Sequence, residues 1–244
     1  MEAEQEVGAE RDPADGAWTR RADQRSVTAA LAQAATFGDY FTISTNVTTG
    51  PWRPALDAYA DGMGDLIAYT ARQLRADESR VAVSIAQLGY AARLWSPGLS
   101  CILRDGIVPD LSGLQIGAEL PLRLRLLPPR GWHSPEPSVL AGLLYRTVVV
   151  EHLEPLAARL EARIASGLLW GNAASAMTGA LGVIVRASPD LAGPARGLAN
   201  LLLSTGSLRG TGGFTGPGLD FRRRSCCLYY RVPEGGMCGD CSLL

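Results

Sequence analysis

Apolar residues recur at three- and four-residue steps over much of this chain, the spacing of one face of an α-helix. The alanine-rich run from Val27 to Ala35 predicts a short helix. Pro54 stands where a first helical position would be, and Leu56, Tyr59, Ala60, Met63, Ile67, Thr70 and Leu74 continue from it as one amphipathic helix. Glu78 to Trp95 repeats the pattern through Val81, Ile85, Leu88, Ala92 and Trp95, and Pro97-Gly98 is expected to stop it. The period returns from Val139 through Leu160 to about Arg163, and Ala187-Ser-Pro opens a last helix reaching Leu203. Extended structure is predicted in two places. Phe41 to Ser44 is one, and Leu122-Arg-Leu-Arg-Leu126, strictly alternating and closed by Pro128-Pro129, is a strand with one buried face.

Between these elements the chain is punctuated. Residues 1 to 16 carry Glu2, Glu4, Glu6, Glu10, Asp12 and Asp15 against Arg11 alone, and 1–25 is expected to be an acidic, disordered tail. Residues 128 to 137 hold four prolines and mark a boundary, giving an N-terminal helical/β part over 26–130 and a C-terminal helical part over 131–244. The uncharged stretch from Ile164 to Val185 is diluted by Gly167, Gly171, Asn172, Ser175, Gly179 and Gly182. It therefore predicts a buried helix rather than a membrane span. Gly171, Ser175 and Gly179 make a smooth stripe for close packing, and Asn172 within it must find hydrogen-bond partners or contact a ligand. Thr205 to Gly218 is glycine-rich but matches no phosphate-binding pattern, and is expected to be a flexible lead into the C-terminal element. The fold class is thus mainly α (α+β), with a small β component and a C-terminal cysteine hairpin.

Composition removes several chemistries. All 23 basic residues are arginine, so Schiff-base, Walker A and kinase lysines are absent. A net charge of -1 gives no bulk attraction to nucleic acid or anionic membrane. The two histidines, His133 and His152, lie in separate segments and form no visible dyad. Four of five cysteines fall in the last nineteen residues: Cys226, Cys227, Cys238 and Cys241, with Cys101 far upstream as a small buried hydrophobe. The N-terminus lacks the basic and apolar regions of a secretory signal, so a reducing compartment is expected, where such clustering reads as metal or redox chemistry.

The spacing is C-C-x10-C-x2-C. The C-x2-C half is a metal knuckle, with Gly239 permitting a tight backbone. The adjacent pair can share a site only if the backbone kinks, and Pro233 with Gly235-Gly236 supplies the return. With three residues after Cys241, the site is expected near the surface. A structural zinc on four cysteines, disulfides and an iron-sulfur cluster compete. Zinc usually shows two knuckles, reduction disfavours disulfides, and a cluster with four thiolates tolerates unusual spacing.

Phe221-Arg-Arg-Arg-Ser-Cys-Cys-Leu-Tyr-Tyr-Arg231 followed by Met237-Cys-Gly-Asp-Cys241 resembles the C-terminal signature of FhuF-type ferric-siderophore reductases. Looser similarity runs through Arg80-Val-Ala82, Leu94-Trp-Ser-Pro97, Gly106-Ile-Val-Pro-Asp110 and Leu169-Trp-Gly-Asn172. The resemblance implies a 2Fe-2S cluster on Cys226, Cys227, Cys238 and Cys241, within a motif at 220–244. It also implies a cytoplasmic enzyme, or one peripheral at the inner face of the membrane, that gives one electron to siderophore-bound Fe(III). Arg222, Arg223, Arg224, Arg231 and Asn172 become candidates to bind the ferric siderophore. The arginines read equally as a solvated, salt-bridged face, and Tyr229 and Tyr230 as packing at strand positions. No nicotinamide or flavin motif is visible, so a separate ferredoxin or flavin reductase is expected as electron donor. The alternatives are a non-redox zinc protein and a siderophore-binding or biosynthesis protein of the same fold.

Overall fold

The structure is a computed structural model describing residues 10–11, 18–160 and 163–243. In chain order, strands β1 (Glu10–Arg11) and β2 (Trp18–Ala22) lead to helix α1 (Gln24–Ala34), then β3 (Trp52–Pro54), α2 (Ala55–Ala60), α3 (Gly64–Leu74) and α4 (Ser79–Asp105). Four short strands follow: β4 (Ile107–Pro109), β5 (Leu114–Gly117), β6 (Leu124–Leu126) and β7 (Gly131–His133). A continuous helical rod is made by α5 (Pro137–Tyr145), a π-helical segment (Arg146–Leu153) and α6 (Glu154–Leu160). The chain ends with α7 (Ser166–Ala187), α8 (Ala192–Leu203) and the hairpin strands β8 (Gly212–Phe214) and β9 (Phe221–Arg223). The molecule is mainly helical with small sheets, as the periodicity indicates.

The two longest helices, α4 and α7, make the most extensive contact in the fold. Leu94, Trp95 and Leu99 on α4, and Leu169, Met177 and Leu181 on α7, are fully buried in one continuous core. Removing each such side chain from water contributes about 1.5–3 kcal/mol. Helix α7 is long and apolar enough to cross a membrane, yet 61% of its most apolar window is buried inside the protein, which is the position of a core helix.

Helix α4 does not stop at Pro97-Gly98. An interior proline costs about 3 kcal/mol through its missing N–H and its clash with the preceding turn. Burial outweighs that cost: every residue from Leu94 to Cys101 is buried, and a Cβ on Gly98 would stand 2.5 Å from Leu144 Cδ1 on α5. Conversely, the single helix expected over 54–74 is two. Asp61 Oδ1 accepts the Met63 N–H at 2.9 Å, and Gly62 and Met63 take left-handed backbone angles that break the rod.

Sheet order β1-β2-β7-β4 corrects two boundaries. Residues 18–25, placed in the acidic tail, form β2 and the start of α1, where the Asp23 carboxylate caps the helix by accepting the Ser26 N–H. Of the remaining tail, only Glu10 and Arg11 are described, paired with β2. The proline-rich segment is no linker, because it supplies β7, the strand between β2 and β4. Gly131 lies where a Cβ would meet the Val108 carbonyl at 2.6 Å. The parts over 26–130 and 131–244 share one core.

Cys101 is buried in that core as expected. So is His152, through a polar chain the sequence does not reveal. His152 Nε2 lies 2.9 Å from the Leu111 carbonyl, which can only accept, so Nε2 carries the proton and Nδ1 accepts from Tyr59 Oη at 2.7 Å. Tyr59 Oη then accepts from Tyr90 Oη at 2.5 Å. Burial pushes both phenols up and drives the His152 imidazole down to about 4. A histidine held neutral when folded favours the unfolded state on protonation. Its contribution is complete above pH 6.5 and is lost as pH falls towards 4, about 3 kcal/mol in all. We expect His152→Gln to lower Tm at pH 8, and its acid loss of stability between pH 6.5 and 4 to be shallower than wild type, measured by thermal denaturation across pH.

Candidate metal centre

The segment expected to be a flexible lead is packed. Gly212 faces the Phe221 ring and the Arg222 carbonyl with no room for a Cβ, and Phe214 and Phe221 meet edge to face, so β8 and β9 form a tight hairpin. This hairpin delivers Arg223 into the interior and sets the next residues against α7. The chain crosses α7 at Gly171, where a Cβ would collide with Ser225 Oγ. Gly171 thus serves close approach, as the smooth stripe suggests, whereas a Cβ on Gly179 would meet nothing.

One residue further along α7, the Asn172 amide nitrogen donates to the Ser84 carbonyl at 2.9 Å and to Ser84 Oγ at 3.1 Å, and its Oδ1 accepts from Arg223 Nη2 at 2.5 Å. Ser84 Oγ in turn donates to the Cys227 carbonyl at 2.7 Å. Helix α4 therefore holds the Cys227 backbone directly, and α7 braces that contact through Asn172.

After Cys227 the kink appears as required: Leu228 adopts left-handed angles and its N–H points to Cys226 Sγ at 3.3 Å. The return is a single 3₁₀ turn, Tyr229–Arg231, rather than strand. It is closed by Gly235, whose Cβ would strike the Tyr229 carbonyl. Gly239 is not needed for space.

Cys227 Sγ and Cys238 Sγ are 3.6 Å apart. Two thiolates on one tetrahedral metal with bonds of about 2.3 Å stand about 3.8 Å apart, so this pair has the separation of two ligands on one ion. Cys241 Sγ receives the Leu243 N–H at 3.4 Å, and the Cys241 N–H donates to the Cys238 carbonyl at 3.1 Å, closing the knuckle. Among the described residues no three ligating side chains are gathered tightly enough to hold a single ion. The segment offers one close sulfur pair with two flanking thiols, whose donors suit a dinuclear thiolate centre taking two cysteines per metal. Burial, then Asp240, then Cys227 push the Cys238 thiol up to about 12, so its anion needs a positive partner.

Residues 223–243 match the FhuF 2Fe-2S C-terminal domain. The likeness drawn from the cysteine spacing is borne out over this segment, which carries all four clustered cysteines. No protein of curated function matches the chain.

Around the FhuF-like segment the expected substrate residues divide. Asn172 is 0% and Arg223 2% exposed, so neither can touch a bulky chelate, correcting that expectation for both. Arg222 on β9 and Arg224 just after it are exposed. Arg231 bonds both Glu78 carboxylate oxygens, at 2.8 and 3.0 Å, tying the loop to the start of α4. Tyr229 and Tyr230 are exposed, not packed. Asp240 stands beside Arg223 as the salt-bridged reading of the arginines has it, whereas Ser84 and Glu78 escape a reading of the sequence. Ser84 sits on α4 like any small core residue, and nothing local links it to Cys227.

In the metal-free chain, a thiol reagent at pH 8 should label part-exposed Cys226 first. Cys238 should follow slowly and gain rate as pH rises, while buried Cys101, Cys227 and Cys241 react only on unfolding, as read by peptide mass spectrometry. Gly171→Ala pushes Ser225 off α7, which should cost about 1–3 kcal/mol and add Cys227 to the quickly labelled set.

Proposed function

We propose that this protein is a cytoplasmic ferric-siderophore reductase in which Cys226, Cys227, Cys238 and Cys241 hold a 2Fe-2S cluster. The observation that carries the reading is the Cys227–Cys238 sulfur pair at 3.6 Å within a segment matching the FhuF 2Fe-2S C-terminal domain. When bound, such a cluster supplies one electron at a time.

The residues of the chain then have separable tasks. Cys226 and Cys238 are partly exposed, while Cys227 and Cys241 are buried. A chelate too large to enter the core can thus approach the thiolate edge without its iron bonding to protein. Arg222 and Arg224 place positive charge beside that approach and favour an anionic siderophore or an acidic donor protein. Backbone N–H groups of Leu228 and Leu243 point at sulfur and favour its anionic form.

The reaction balances as one electron from a separate ferredoxin or flavin reductase, passed to Fe(III), which leaves as Fe(II). Siderophores bind through hard oxygen donors that hold Fe(III) far more tightly than Fe(II), so the added electron is what loosens the complex.

The test is anaerobic purification followed by visible and EPR spectra before and after dithionite, with iron, sulfide and zinc assayed together. Equal iron and sulfide, bleaching on reduction and a spin-half signal are expected. Mixing the reduced protein with a ferric siderophore should then release Fe(II) to a trapping chelator. Cys227→Ser should lose both the signal and the release. A colourless zinc protein would overturn the reading, and siderophore binding that persists in Cys227→Ser without iron release in either form would make this a binding protein instead.

A further inference from the structure

Arg223 is the largest charged side chain in the interior. A buried guanidinium costs several kcal/mol unless its charge and its donors are met. Here they are met in part: Nη2 donates to Asn172, whereas Nε and Nη1 have no hydrogen-bond partner. Asp240 Oδ2 forms an ion pair with Nε at 4.0 Å, beyond hydrogen-bond reach, and is itself buried without a hydrogen-bond partner. Ser225 Oγ, between Arg223 and the cysteine pair in sequence, is a fourth buried polar atom with no hydrogen-bond partner.

These unmet groups gather at one place. The Arg223 backbone N–H donates to the Asp240 carbonyl at 3.1 Å, which ties β9 to the turn between Cys238 and Cys241. Asn172, which orients the guanidinium, also bonds Ser84, which bonds the Cys227 carbonyl. The interior positive charge is thus fixed to both halves of the cysteine motif, with more donor capacity than the protein uses. Four thiolates and two sulfides on two Fe(III) ions leave a net charge of about -2, made more negative by reduction.

We propose that Arg223 is the buried counter-charge of the cysteine centre, and that Asn172 is the positioning residue that locks it there. This rests on the 2Fe-2S reading above. A fixed positive charge in a water-poor surrounding stabilises the more negative, reduced state, so Arg223 raises the reduction potential. The exposed Arg222 and Arg224, screened by solvent, have little such effect.

The experiment is spectroelectrochemical titration of anaerobically purified wild type, Arg223→Gln, Arg223→Lys and Asn172→Asp, each with iron and sulfide assayed and the metal-free form checked by thermal unfolding. Arg223→Gln should lower the one-electron reduction equilibrium constant at least tenfold, a downward shift of about 59 mV. Arg223→Lys, which keeps the charge, should restore most of it. Asn172→Asp, which sets a carboxylate against Nη2, should lower it in the same sense, and keeps the proposal falsifiable should Arg223→Gln not fold. Wild-type potential in Asn172→Asp, and in Arg223→Gln where that variant folds, would reduce Arg223 to a packing residue and overturn the assignment alone. Wild-type protein without iron and sulfide would overturn the cluster reading and this proposal with it.

Discussion

The bond between Asn172 and Ser84 joins the two helices on which everything else is built. An amide inside an apolar helix pair costs free energy unless every donor and acceptor is used, and Asn172 spends its donors on α4 and its acceptor on Arg223. The register of α4 against α7 is thereby fixed to one arrangement, since a shift by a residue would leave the amide unpaired. Because Ser84 also holds the Cys227 carbonyl, that register sets where the first cysteine pair lies. Packing alone would align the helices only loosely.

Charge is divided in the same way. Arg222 faces solvent and Arg223 faces inward, as alternation along β9 requires, and Arg224 just beyond the strand is exposed. A run of three arginines that looks uniform in sequence therefore supplies two kinds of group: exposed surface cations and one buried interior cation. Arg231 is a third kind, a strap to Glu78 that holds the 3₁₀ turn against the first turn of α4. The ion pair is exposed and contributes little to stability, so its value lies in where it places the loop.

Much of this is legible in the chain itself. Helical periodicity finds α1, α4, the rod from Pro137 and α8, and the cysteine spacing finds the site, because each depends on local pattern. What escapes depends on tertiary contact. Pro97 reads as a stop until Leu144 is seen to press on Gly98, and Met63 reads as helical until Asp61 takes its N–H. The prolines around β7 look like a linker although its backbone is the centre of a sheet. Asn172 stands out as a polar residue needing partners, but those partners lie far along the chain and no local pattern names them. Arg223 groups with its neighbours because a two-residue repeat three residues long is too short to assign a face.

The placement of β7 also bears on how the chain reaches its native form. β7 bonds β2, formed near the start of the described chain, and β4, formed just after α4, so the sheet closes the loop that contains α1 to α4. Closing so long a loop has an entropic cost that local helical turns do not, which delays such pairings in folding. The helices on that loop can gather first around α4, and the sheet then seals them. Order of assembly, like the site itself, is written into which strand sits in the middle.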